Sequence, residues 1–305
     1  MSREPRAWVL NLDAEHELEA PARYAPTRRL RAIVARERRA LLGSLVGPAD
    51  LVLDLDEEQS QVAPALALGR TGLAWCPTPR ALARLAAAGA CVRAAPSLAV
   101  LRAVNARPFA AAVRAPFAGA SFAKRVVATL AEALDELARP AADGWLVRRT
   151  FGAAGRGRRR IAAGRPDAAE RAWLVASLRR GALVIEPWVR VTREYTRSAW
   201  VTARGELVLS PPCFQETSAQ GAWTRSERAE RGAVSRADDE RLAEAVQAAG
   251  DALARAGYAG PFGIDAFRHR GEHGEVLNPL SEINARFTMD WTTALAERAR
   301  ALPET

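Results

Sequence analysis

The chain has 305 residues, 49% hydrophobic and 26% charged, with a formal net charge of +9. This is the balance of a soluble globular protein with room for a sizeable core, divided into two or three lobes. No apolar run approaches the roughly 18 residues of a membrane span, and the three cysteines (Cys76, Cys91, Cys213) and three histidines (His16, His269, His273) lack disulfide or zinc spacing.

The N-terminus turns acidic at Asp13, Glu15 and Glu17, where a secretory leader would need an apolar stretch. A cytoplasmic protein without a membrane partner is therefore expected. Residues 7–12 read as a buried strand and 28–42 as a helix. Short strands follow at 51–55, 72–75 and 91–93, with a helix from Thr78 or Pro79 to Ala88 stopped by Gly89. Such alternation predicts a small parallel α/β layer, without a dinucleotide GxGxxG. Polar residues after these strands (Asn11, Asp13, Glu15, Asp54, Asp56) could meet the amino end of a substrate; loop solvation and helix capping are the simpler reading.

Residues 97–105 read as a helix, followed by Asn105-Ala106-Arg107-Pro108-Phe109. After a helical stretch at 130–137, residues 145–149 form a strand that runs into a small-residue loop, Gly152-Ala153-Ala154-Gly155-Arg156-Gly157. A strand leading into a glycine loop brings backbone N–H groups close to an anion. It is not a Walker loop, since GxxxxGK[ST] is absent. The densest basic cluster, Arg156 with Arg158, Arg159 and Arg160, has no interleaved aromatics, so a nucleic-acid partner is not expected. An amphipathic helix from residue 167 or 168 to 180 and a strand at 182–185 lead to Glu186-Pro187-Trp188-Val189.

Strands at 194–203 and 206–210 turn around Arg204-Gly205. Residues 210–223 read as a long polar loop, with Gln215, Glu216 and Trp223 as candidate acceptor contacts or plain surface. A helix spans 236–256. Two strands, 262–268 and 276–286, are then joined by a polar loop. Alternation puts Glu282, Asn284 and Arg286 on one face, with Asp265 opposite Glu282 or Asn284. Two neighbouring carboxylates repel, and a divalent cation with oxygen ligands would remove that repulsion; a solvated charged face is the plain alternative.

The pair GIDAF and SEINAR resembles the C-terminal signature of the ATP-grasp superfamily, and the ordered features match its layout over about 190 residues. The resemblance implies an α/β (α+β) fold. Its expected parts are an N-terminal parallel α/β lobe (1–100), a small lid lobe (101–187) and a larger antiparallel-sheet lobe (188–305). It implies that Asp265, Glu282 and Asn284 hold Mg²⁺, with Mn²⁺ as a substitute, and that Arg286 steadies the transferred phosphoryl group. Arg107 and Arg148 stand where the family carries lysines toward the ATP phosphates. The loop of Gly152, Ala153, Gly155 and Gly157 would fold over the triphosphate. Glu186 with the backbone of Trp188 and Val189 would read adenine, and Glu194 would take the ribose hydroxyls. The implied activity is an ATP-dependent ligase joining a small-molecule or peptide carboxylate to an amine or thiol through an acylphosphate. The two Lys-to-Arg departures motivate an alternative, a nucleotide-binding protein with little turnover and a regulatory or scaffolding role. Arginine keeps the charge but is planar and less mobile than lysine. A homo-oligomer is left open.

Overall fold

The computed structural model describes residues 4–55, 66–117, 125–152, 155–218 and 223–295. Asp56, Ala153 and Ala154 lie outside the described residues.

The first sheet is four-stranded and parallel, in the order β2-β1-β3-β4: β1 (Arg6–Val9), β2 (Leu51–Leu53), β3 (Thr71–Ala74) and β4 (Cys91–Val92). β1, β2 and β4 are shorter than the apolar runs suggested, and β3 keeps the expected length. Between them run α1 (Ala14–Glu19), α2 (Arg28–Leu41) and α3 (Pro79–Ala87). The expected start of α3 is as read: Thr78 accepts from the Ala81 amide, with proline in the first turn.

α4 (Leu98–Val104) leads into α5 (Arg107–Arg114), a helix that the sequence reading lacked. Pro108 sits in its first turn, where the missing N–H has no partner to lose. The second sheet is antiparallel, β5-β8-β6-β7, built from β5 (Arg125–Val127), β6 (Trp145–Arg149), β7 (Arg158–Ile161) and β8 (Leu183–Pro187). It is covered by α6 (Leu130–Leu137) and α7 (Ala168–Leu178), each opened by a capping box. Glu186 and Pro187 belong to β8, so the strand expected to stop at residue 185 runs two residues further. Pro187 is tolerated because it ends the strand.

The third sheet has the order β12-β11-β9-β13-β14, with β10 also on β9. Its members are β9 (Val191–Val201), β10 (Leu207–Leu209), β11 (Cys213–Thr217), β12 (Trp223–Arg228), β13 (Gly260–Gly271) and β14 (Gly274–Asn284). Within the stretch expected to be an irregular loop, Cys213–Thr217 is strand, and Trp223 begins another. β11 pairs on both sides, and its Phe214 ring meets Tyr195 of β9 at 5.7 Å. The final hairpin is also tighter than expected, with its strands continuing to Gly271 and Gly274. Helix α8 (Arg236–Arg255) backs this sheet, and α9 (Trp291–Leu295) ends the described chain.

One apolar core runs from the parallel sheet into the third sheet. Phe287 sits at its centre, edge-on to Trp8 at 5.3 Å, to Trp291 at 5.1 Å and to Trp200 at 6.3 Å. Each such pair contributes about 0.5–1.5 kcal/mol beyond its buried area. This core fixes the segment after β14, and with it Arg286, against the parallel sheet. The second sheet has its own core around Val147, Ile161, Leu174 and Ile185.

Candidate active site

Asp265 and Glu282 are direct cross-strand partners, and Asp265 faces Thr196 on its other side. A register shift follows at once between Asp265 and Phe267, a bulge that bends the hairpin beside the site. Burial, then Glu282 and Asp290, push the Asp265 carboxyl up to about 7. Asn284 donates its side-chain N–H to Asp265 at 3.0 Å. Asp290, unremarked in the sequence, is buried and accepts from the Ser198 hydroxyl at 2.8 Å.

Glu282 is also where two guanidinium groups meet. Arg107 Nη2 lies 2.9 Å from its Oε1, and Arg148 Nη1 lies 3.5 Å from its Oε2. Arg148 shares a strand face with Leu146, and Leu146 pairs with Glu186 on β8. That register puts Arg148 Nε 2.9 Å from Glu186 Oε1 in a nearly dry environment. Burial works against the Arg148 charge, but Glu186, Glu282 and Asp265 outweigh it and leave its pKa raised. Arg148 therefore links the second sheet to the third.

Arg107 opens α5 and ties down the glycine loop. It donates to the carbonyls of Arg149 at 2.9 Å and Gly152 at 2.6 Å, while its own amide donates to Thr150. Glycine is required at 152 because a Cβ there would lie 2.5 Å from the Arg156 carbonyl oxygen. Gly155 and Gly157 take left-handed φ values of 74° and 70°. Through Arg107 Nη2, which bonds both, the Gly152 carbonyl comes beside Glu282, on which the two arginines rest.

Arg286 lies just past β14, held from α1. Its Nε donates to Glu15 Oε1 at 2.6 Å and its Nη2 to Asn284 Oδ1 at 3.0 Å, with Trp75 5.6 Å beneath the guanidinium. Capping or solvation was the simpler reading for Glu15. Its pairing with Arg286 corrects that, and no sequence signal could join positions so far apart. Asn11 and Asp13 are likewise neither solvated nor capping by side chain, since both are buried in tertiary hydrogen bonds, whereas Asp54 stays half exposed. Asn11 bonds the backbone of Cys76 and the Thr78 hydroxyl, and Asp13 accepts from the Tyr24 hydroxyl. Asp54 pairs with Arg38 at 3.3 Å.

Glu194 lies on the same face of the third sheet as Asp265, two residues along β9 from Thr196. Burial raises its pKa, and it accepts from the Thr217 hydroxyl at 2.7 Å. Gln215 pairs with Glu194 in register. Glu216 points the other way, into an exposed pair with Arg225, and Trp223 donates to Ser226. The Trp188 amide is committed to the Gly144 carbonyl, and the Trp188 ring lies under Arg160 at 4.8 Å.

A hard divalent cation fits this donor set. Asp265 and Glu282 are side by side, one with a raised pKa, and Asn284 adds an amide oxygen. Among the described residues no group of three His, Cys, Asp or Glu side chains could hold a metal, so further ligands would come from phosphates and water. Also among the described residues, no helix is long and apolar enough to cross a membrane.

No protein-family model matches the sequence, and no curated protein matches it. Solved structures do. A purK N5-carboxyaminoimidazole ribonucleotide synthetase in complex with ADP superimposes with a TM-score of 0.56 at 16% identity, covering 100% of this chain and 80% of that one. The corresponding synthetase of Thermus thermophilus gives 0.54 at 17% identity, with 98% and 79% covered. D-alanine–D-alanine ligase of Bacillus anthracis gives 0.53 at 13%, with 98% and 92% covered. At these identities the likeness is one of fold, and the chain has the ATP-grasp fold.

Proposed function

We propose that this chain is an ATP- and Mg²⁺-dependent ligase that joins a carboxylate to an amine or thiol through an acylphosphate. The observation that carries the reading is the position of Glu282. It is paired in register with Asp265, and Arg107 and Arg148 converge on it from the glycine-loop side. Solved structures of this fold with ADP bound, such as the purK synthetase, support the nucleotide part.

Asp265, Glu282 and Asn284 would hold Mg²⁺ or Mn²⁺. When bound, the cation supplies charge neutralisation across the ATP phosphates. A triphosphate is a more highly charged partner for Arg107 and Arg148 than one carboxylate. Its arrival would draw both arginines off Glu282 and leave that carboxylate available as a ligand. The amides of Gly152–Gly157 would close over the phosphates. Glu186, the Trp188 carbonyl and Val189 would meet the adenine edge, and Glu194 the ribose. Arg286, fixed by Glu15, would face the oxygen that gains charge as the phosphoryl group moves to the substrate carboxylate. Closure of the second sheet over the third would exclude the water that hydrolyses an acylphosphate.

One observation favours the rival, a nucleotide binder without turnover: Arg107 is also the clamp on the carbonyls of Arg149 and Gly152, a structural task. ADP release with mixtures of amino acids and peptides separates the two. Release that rises with a substrate pair and disappears in Glu282→Ala supports the ligase. Tight Mg-ATP binding without ADP release under any mixture supports the rival. Failure to bind Mg-ATP at all overturns both.

A further inference from the structure

A groove of about 670 Å³ lies between the first lobe and the second, away from the carboxylate pair. Its walls carry Arg23 from the turn after α1, Arg29 from α2, and Arg156 and Arg180 from the second lobe, with His16 beside them. Glu19 is the one carboxylate lining it, and Glu19 is already engaged with Arg180 at 3.6 Å. Among the described residues, Arg23, Arg29 and Arg156 make no ion pair. Arginines scattered on a convex surface are simply solvated. These come from separate segments of two lobes and face one concavity, where their fields add and an anion is concentrated. Helix α1 supplies His16 and Glu19 to the groove and Glu15 to Arg286, and Arg156 belongs to the glycine loop, so the groove is built on elements that also reach the candidate site.

We infer that this groove binds the multiply anionic end of the ligase's second substrate, a small molecule or short peptide with at least two negative charges at that end. One carboxylate would satisfy a single guanidinium; the groove offers three that lack an ion-pair partner. A ligand spanning Arg23 and Arg29 on one wall and Arg156 on the other would also hold the second lobe against the first, reinforcing the Glu19–Arg180 contact. The inference rests on the ligase reading for the word substrate, not for the binding itself.

The test is calorimetric titration of the Mg-ADP-saturated protein at about 0.15 M salt, where exposed charges more than about 8 Å apart are screened. Triglutamate and glycerol phosphate serve as the two acidic probes, with triglycine as the neutral control. One or both acidic probes should bind, triglycine should not, and an Arg23→Ala/Arg29→Ala double variant should bind the acidic probe at least tenfold more weakly with unchanged Mg-ADP affinity. Binding of only one probe identifies carboxylates or phosphate as the recognised group. No binding of either probe, or equal binding by the double variant, overturns the inference and leaves the nucleotide reading intact. Failure of Mg-ADP itself to bind would sink the nucleotide reading, and the same titrations without nucleotide would then judge the groove.

Discussion

Replacing Asp265 by asparagine isolates the electrostatic cost of the carboxylate pair. The side chains are nearly the same size, and an amide oxygen can still accept from Asn284. The Asp265 carboxyl is raised from an ordinary 3.8 to about 7 by burial, by Glu282 and by Asp290. The folded state thus holds a proton that the unfolded chain releases near pH 4. Stability from this group is greatest below the unfolded value, is lost as pH rises through about 7, and is level above that. Three units at about 1.36 kcal/mol each set an upper figure of about 4 kcal/mol, and partial solvation at the site brings it to between about 2 and 4. Urea unfolding of both proteins at pH 5 and pH 9, without metal, measures it as a difference of differences, so that other titrating groups cancel. Asp265→Asn should be more stable than the parent at pH 9, and the gap should shrink at pH 5. Millimolar Mg²⁺ should recover stability in the parent at pH 9 and not in the variant. A variant less stable at pH 9, or one with the parent's full pH slope, would refute the reasoning.

Gly152→Ala forces the glycine loop away from the Arg156 carbonyl, so Mg-ATP affinity should fall at least tenfold while melting shifts by only a few degrees; unchanged affinity would mean that the loop does not touch the nucleotide. Phe287→Ala removes the ring shared by Trp8, Trp200 and Trp291 and should cost about 3–5 kcal/mol in denaturant unfolding. Glu15→Gln loosens Arg286 without touching the carboxylate pair; ADP release should drop at least tenfold with Mg-ATP binding held, and equal losses in both would place Glu15 in nucleotide binding instead. Glu282→Gln leaves Arg107 and Arg148 facing a neutral amide and should destabilise the metal-free protein by about 1–3 kcal/mol, read from urea midpoints.

The sequence by itself determined the elements whose cause is local. Alternation placed Asp265 and Glu282 on one polar face, and cap residues such as Thr78 and Asp167 marked helix starts because their side chains bond amides three residues on. A resemblance spread over ordered motifs supplied the fold. Only the tertiary structure decided what depends on residues far apart in the chain. It made Cys213–Thr217, inside a polar stretch, a strand, because β9 and β12 offer hydrogen-bond partners on both sides. It brought Glu15 to Arg286 across the shared aromatic core. It also rested Arg107 and Arg148 on Glu282, since buried guanidinium groups settle on the nearest carboxylate. Side-chain direction along a strand follows from a period of two, whereas the partner a charge finds follows from how sheets and helices stack.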